Sequence, residues 1–365
     1  MRKIRIGILF GGQSAEHEVS IQSAKNIFAA IDKTKYEVIL IGISKKGKWF
    51  QFSQEEFNKL ADQRYQSLDK ITEFSLLNAK EKSSLITPSE NNFYFSKKLD
   101  VVFPILHGPY GEDGTVQGLL KLLHIPFVGA SVLGSAVGMD KDVTKRLLRD
   151  ANLPVVRFKV VNVRERSDLR FRAIKEELGI PFFVKPANLG SSIGVTKVNK
   201  MSEFEKALDQ AFCYDRKILI EEAINAREIE CSVLGNDEKI ASQPGEIIPT
   251  HEFYDYEAKY IDENGAKFEI PAKISTQQIK TIQELAIRAC TVLCVEGMAR
   301  VDFFLDKKTE KIYINEINTL PGFTNISMYP KLWEASGIPY VELIDRLIRL
   351  ALERHSKEQS LKTNR

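Results

Sequence analysis

The chain has 365 residues, 43% hydrophobic and 28% charged, an ordinary globular composition with enough apolar material to give two or three compact units their own cores. Lys and Arg number 52 against 49 Asp and Glu, a net charge of +3. These charges are interspersed rather than blocked, which excludes the concentrated field of a nucleic-acid or membrane-surface binder.

The N-terminal run MRKIRIGILF is basic and then apolar, but Gly11-Gly12 and the polar residues after them cut it short of a signal-peptide core. It reads as a first strand. Ile21, Ala24, Ile27, Phe28 and Ile31 follow at helical spacing, and YEVILIGIS is the next strand, so a βαβ pattern opens the chain. Residues 44–98 are polar and weakly periodic, with KWFQF and NFYFS as pieces of a small excursion. DVVFPIL resumes the pattern. Leu122 to Met139 carries no Asp, Glu, Lys or Arg, yet His124, Pro126, Gly129, Gly134 and Gly138 divide it into a helix end, a short strand IPFVG and a turn rather than a membrane span. No membrane insertion and a cytoplasmic location are expected. The four cysteines fit that expectation as buried core thiols: Cys213 and Cys231 are isolated, and Cys290 and Cys294 stand four apart on an amphipathic helix.

A second unit starts at Asp140, an N-cap for KDVTKRLLRDA, and continues through the strand IPFFVKP and the Gly-Ser turn ANLGSSIGV. Ser202 and Glu205 suggest a capping box for the next helix, and KILIEEAI and EIECSVLG read as paired strands. The third unit holds a helix after Ser275, the strand pair MARVDFFLD and KIYINEIN around KKTEK, and a terminal helix from Tyr340 to His355. The expected fold is α/β, becoming α+β in its second part, with units at 1–139, 140–230 and 231–365.

The stretch INEINTLPGFTNIS carries the chemistry. Alternation on a strand puts Glu316 and Asn318 on one face, together with Ile314, and the antiparallel partner offers Asp302 between Val301 and Phe303. Three hard oxygen donors without His or Cys suit Mg²⁺ or Mn²⁺ rather than zinc. Because Mg²⁺ takes few protein ligands and completes its shell with water and phosphate oxygens, the set points to a nucleotide-bound metal. There is no Walker A sequence and no G-x-G-x-x-G. The chain offers KPANLGSSIGV instead, where Lys185 ends a strand and Gly190, Ser191, Ser192 and Gly194 form a turn able to wrap a phosphate, with Lys141 on the preceding helix.

Seven motifs in order over nearly the whole chain, GGQSAEHEVS, HGPYGEDG, MDKDVTKRLL, VKPANLGSSIGV, FYDYEAKY, ARVDFFL and NEINTLPGFTNISMYP, resemble those of D-alanine-D-alanine ligases of the ATP-grasp superfamily. The resemblance implies a three-unit ATP-grasp architecture, with an N-terminal parallel-sheet, Rossmann-like domain and two lobes that hold ATP between antiparallel sheets. It implies ATP-dependent joining of two D-alanines through an acyl phosphate, in peptidoglycan precursor synthesis, and a homodimer without nucleic-acid partners.

Carried over residue by residue, the resemblance makes Asp302, Glu316 and Asn318 the ligands of two Mg²⁺ or Mn²⁺ ions, with Glu316 bridging. Lys141 and Lys185 match phosphate-binding lysines; Glu221 and Glu222 match the hinge that meets adenine, beside Ala223 and Ile224, and Glu228 matches the ribose contact. Arg300 and the backbone N–H of Gly322 match the oxyanion donors. Glu16, Ser191 and Tyr260 match a triad around the first D-alanine. Lys259 and Ser327 match groups around the second substrate's carboxylate, with Met328 beside it and His107 in the first substrate's site. Tyr256 and Tyr260 keep the lid pattern that favours a dipeptide over a D-alanine-D-lactate ester.

Overall fold

The computed structural model describes residues 2–62, 99–249 and 266–362. Four sequence readings lie outside those residues: the NFYFS segment, and the positions Tyr256, Lys259 and Tyr260 read as part of a lid.

β1 (Ile4–Gly11) runs parallel to β2 (Tyr36–Ile43), and α1 (His17–Ala30) connects them. After β3 (Trp49–Phe52), antiparallel on β2, and α2 (Gln54–Asp62), β4 (Val101–Ile105) adds parallel to the other side of β1, giving the order β3-β2-β1-β4. The central strands are apolar on both faces because both are covered. Ile6, Ile8 and Phe10 face α1, while Leu9, Ile41 and Val102 face Leu120 of α3 (Thr115–Leu122). This leaves the carboxyl ends of β1 and β4 open at Gly12 and His107, where open α/β sheets place their ligands.

The expected strand IPFVG is reduced to one parallel bridge, Val102 with Phe127, since Pro126 and Gly129 bracket it. The turn expected after it is instead α4 (Val132–Met139), where Gly134 fits because a side chain there would collide with the backbone of Cys294 and Val295. α5 (Lys141–Asp150) starts as read: the Asp140 side chain accepts from the N–H groups of Asp142 and Val143 at 3.0 and 3.1 Å.

β5 (Phe158–Asn162), β6 (Phe182–Pro186), β7 (Thr196–Val198) and β8 (Lys217–Glu222) make an antiparallel sheet, order β5-β8-β6-β7. α6 (Phe171–Leu178) and α7 (Met201–Phe212) cover it with Ile174, Phe204 and Leu208. The Ser202/Glu205 capping box does not form: α7 begins after Lys200, and Glu203 reaches back to the N–H of Asn199 at 2.9 Å.

The largest sheet contains β9 (Ala226–Gly235), β10 (Ile240–Ala241), β11 (Gly245–Pro249), β12 (Ala266–Glu269), β13 (Gly297–Asp306) and β14 (Ile312–Asn318), with the path β12-β11-β9-β13-β14 and β10 on β9. β8 and β9, expected as a pair, therefore belong to different sheets joined through residues 223–225. β9 also runs unbroken across the expected boundary at 230/231. α8 (Thr276–Val292) follows Ser275 as expected and packs on the core face, and Ser275 forms a capping box with Gln278. Cys231 and Cys290 are buried, but Cys213 and Cys294 are exposed, Cys294 lying just past the end of α8 with φ 55°. α9 (Met328–Ala335) and α10 (Tyr340–Gln359) complete the chain.

Candidate active site

β9, β13 and β14 lie side by side with Glu230, Asp302 and Glu316 in one cross-strand row and Ser232, Arg300 and Asn318 in the next. Opposed residues of an antiparallel sheet share a face, so six polar side chains stand together on the side away from the apolar core. A bulge between Asp302 and Phe303 changes the alternation on β14. Ile314, read from the sequence on the same face as Glu316, consequently turns into the core at 0% exposure.

Arg300 is gripped from two sides. Its Nε and Nη2 donate to Asp302 Oδ1 and Oδ2 at 2.7 and 2.8 Å, and Nε lies 2.9 Å from Glu230. Asn318 Nδ2 donates to Asp302 Oδ2 at 3.0 Å, and Glu316 lies 3.5 Å from Lys141 Nζ. Among the described residues no three His, Cys, Asp or Glu side chains close into a metal site of their own. Two carboxylates and an amide on one open face, with cations already drawn to both carboxylates, fit a Mg²⁺ or Mn²⁺ ion that takes its remaining ligands from phosphates.

A second wall comes from α5 and the β6-β8 sheet. Asp140 and Asp142 also take Lys217 Nζ at 2.6 and 3.0 Å, which fixes the start of α5 on β8. Lys141 and Lys145, one turn apart, share a face of the helix. Lys141 Nζ donates to the carbonyl of Leu189 at 2.7 Å, tying the helix to the Gly-Ser turn. Ser191 and Ser192 there adopt φ of 53° and 58°, a left-handed backbone that is costly for a side-chain-bearing residue and tends to occur where a ligand is gripped.

Lys185 Nζ lies 2.6 Å from Glu221 Oε2 and Lys145 Nζ 3.3 Å from Oε1. Burial works against the Glu221 carboxylate, but the two lysines outweigh it and hold its pKa below the usual value. The alternation that points Glu221 at the lysines points Glu222 the opposite way, where it accepts from Arg157 N and Nε at 2.8 and 2.7 Å. Ala223 donates its N–H to the Pro181 carbonyl at 3.3 Å. Ala223 and Ile224 are half-buried in the link between the two sheets, and Glu228 sits opposite Phe304 on the polar face of β9.

The third wall belongs to the N-terminal unit. Glu16 precedes α1, is 8% exposed, and does not cap the helix with its side chain. Its Oε1 accepts instead from Ser191 Oγ at 2.5 Å, across 175 residues of sequence. His107 is buried, with Nδ1 3.1 Å from the Leu320 carbonyl. A carbonyl only accepts, so Nδ1 carries the proton and Nε2 keeps a free lone pair with no hydrogen-bond partner. Burial lowers the ring's pKa, and Glu16 nearby opposes that shift. Glu112 accepts from Gly108 N at 2.7 Å and Leu320 N at 3.3 Å, and burial followed by Glu16 pushes its pKa up to about 8.

Gly322 stands where a side chain would run into Ser327 Oγ at 2.7 Å. Ser327 Oγ lies 2.9 Å from Thr324 N and 2.8 Å from Thr324 Oγ1, while Met328 is buried against Ile247 and Leu332 rather than facing the cleft. Glu230, Lys145 and Glu112 belong to the site without having been read as site residues. The signals were slight: a second acid two residues after Glu228, a lysine one turn after Lys141, and a carboxylate inside HGPYGEDG.

The D-ala D-ala ligase N-terminus family model matches residues 5–130, and the D-ala D-ala ligase C-terminus model matches residues 147–349. The chain belongs to the D-alanine-D-alanine ligase family. It is 53% identical to the D-alanine-D-alanine ligase of Oceanobacillus iheyensis over 100% of this chain and 99% of that protein. With D-alanine-D-alanine ligase A of Escherichia coli K12 the identity is 50% over 100% of both. The solved D-alanine-D-alanine ligase of Coxiella burnetii superposes with a TM-score of 0.84 at 40% identity, covering 98% of this chain and 97% of that one. The VanG D-Ala:D-Ser ligase of Enterococcus faecalis follows at 0.81 and 36%, covering 96% and 100%. The mixed α/β fold with several sheets is thus that of the family's solved structures, including one that takes a different second amino acid.

Proposed function

We propose that this chain is an ATP-dependent ligase that joins two D-alanines into D-alanyl-D-alanine for peptidoglycan precursor synthesis, releasing ADP and phosphate. The observation that carries the reading is the face of β9, β13 and β14, where Arg300 stands beside Asp302, Glu316 and Asn318. Nucleotide binding alone has no use for a fixed guanidinium next to a metal set, whereas acyl transfer needs one where negative charge develops.

A carboxylate is a poor electrophile, so ATP first converts that of the first D-alanine to an acyl phosphate, which the amino group of the second then attacks. Glu16, held by Ser191, receives the first substrate's ammonium, and Tyr260 is the third residue we assign to that role. Lys141 and Lys185 hold the phosphates; Glu221, Ala223 and Ile224 meet the adenine, with Glu222 supporting the hinge through Arg157, and Glu228 meets the ribose. Arg300 and the Gly322 N–H receive the oxyanion, and Lys259 and Ser327 the second substrate's carboxylate. Asp302, Glu316 and Asn318 would hold two Mg²⁺ or Mn²⁺ ions, which when bound would supply charge neutralisation at the transferring phosphoryl group. His107 lines the first substrate's site as a neutral ring, and Met328 backs the second site from within its apolar cluster.

The architecture is read as a three-unit ATP-grasp fold, close to 1–139, 140–230 and 231–365, with the last boundary better placed before β9. A cytoplasmic homodimer is the assembly we favour; no helix among the described residues is long and apolar enough to cross a membrane. Phosphate release with ATP and Mg²⁺ is expected to need D-alanine, to fail with L-alanine, and to give the dipeptide by mass. A mixed product with D-serine or D-lactate in preference to a second D-alanine would overturn the substrate assignment.

A further inference from the structure

Lys145 has no solvent-exposed surface, at 0% exposure, and its ammonium sits 3.3 Å from one oxygen of Glu221 as an ion pair without an aligned hydrogen bond. The other oxygen of the same carboxylate takes Lys185 at 2.6 Å. The two lysines differ in access: the Lys185 side chain keeps 9% exposure at the strand end beside the Gly-Ser turn, whereas that of Lys145 has none. One buried carboxylate therefore serves a lysine that can reach a ligand and a lysine that cannot.

We infer that Lys145 is a positioning residue, the standing counter-ion of Glu221 that allows Lys185 to leave that carboxylate for the phosphates of the nucleotide. This rests on Lys185 being a phosphate ligand, as read above. If Lys185 were the only partner of Glu221, its departure would strand a buried, unpaired carboxylate, which is strongly unfavourable. Lys185 would then stay where it is and contribute little to ATP binding. With Lys145 in place the charge remains compensated and Lys185 can exchange one anion for another. Glu316 also acts on Lys145, but less strongly than Glu221 does, and it lies 3.5 Å from Lys141.

Calorimetric titration of ATP and of adenosine into the full-length chain tests this. Lys145→Met, close in volume, keeps the Lys185–Glu221 pair in the nucleotide-free protein and so keeps a cooperative melt. It binds ATP about tenfold more weakly, the scale of one lost charge-assisted contact, with adenosine affinity unchanged because adenosine has no phosphate. Adding Glu221→Gln to Lys145→Met removes the charge that holds Lys185 and restores the ratio of ATP to adenosine affinity, the readout that cancels any contact Glu221 makes with the adenine. Unchanged ATP affinity in Lys145→Met overturns the inference, as does an equal loss for ATP and adenosine, or an ATP-to-adenosine affinity ratio that Glu221→Gln lowers further. Should Lys145→Met fail to fold, Glu221→Gln alone decides through the ratio of ATP to adenosine affinity, which cancels what Glu221 gives the adenine: a ratio at or above wild type supports the inference, and a lower ratio overturns it. Lys185→Met separates the two levels of the argument. Wild-type ATP affinity in that variant removes the phosphate reading and the inference with it, whereas a loss there beside an unaffected Lys145→Met removes the inference alone.

Discussion

Glu316 and Glu112 are both carboxylates near the cleft, yet their surroundings ask opposite things of them. Glu316 lies on the sheet face with Lys141 3.5 Å away and must be ionised to hold a metal. Glu316→Gln is therefore expected to abolish turnover and to weaken Mg²⁺ or Mn²⁺ binding, measured by titrating the metal into the ADP complex; wild-type turnover would remove the metal assignment. Glu112 has its pKa raised from 4.5 to about 8, by burial first and Glu16 second. Between those values the folded chain keeps a proton that the unfolded chain releases, so this contribution to stability is present at low pH and lost as pH rises through about 8. The melting temperature of the wild type, relative to Glu112→Gln, should fall from about pH 5 to about pH 9, and a constant difference would show that Glu112 ionises normally.

At the scale of the element, α5 links the site to the sheet behind it. Its start is fixed by Asp140, which both caps the helix and pairs with Lys217 at 2.6 Å. Asp140→Ala should lower unfolding free energy by about 1–2 kcal/mol in denaturant titration. It should also raise KM for ATP more than KM for D-alanine, because Lys141 rides on the first turn. Equal effects on both substrates would show that α5 does not aim at the nucleotide. The bulge on β13-β14 is the other local device. It lets Glu316 stay level with Asp302 while Ile314 and Ile317 both enter the core, which strict alternation forbids.

For the molecule as a whole, the last helix closes on the first sheet. Leu343, Ile344, Leu347 and Ile348 of α10 share a core with Ile6, Phe10, Ile27 and Phe28, and Arg354 reaches the carbonyls of Gly129 and Phe127. The three walls of the cleft come from separate sheets, and that joint core is part of what holds the first against the third. Leu347→Ala should cost about 3 kcal/mol of stability, read by denaturant unfolding, while the folded fraction keeps its kcat. A smaller cost with altered kcat would mean that the joint core is loose and α10 governs closure of the cleft.

Local patterns in the chain were enough to write most of the elements and to bring out the oxygen donors of the candidate site: the apolar runs of the parallel sheet, the cap at Asp140, the helix after Ser275, and the row of donors on KIYINEIN. Those follow from period, capping and ligand type, which act over a few residues. Tertiary structure alone decided that β8 and β9 part into different sheets, that Ile314 turns inward at a bulge, and that α10 joins the N-terminal core. It also brought Glu16 to Ser191 and Lys145 to Glu221. Each of these is settled by which partner buries most surface or answers a buried charge, and that partner stands far away along the chain or beyond the reach of any local pattern.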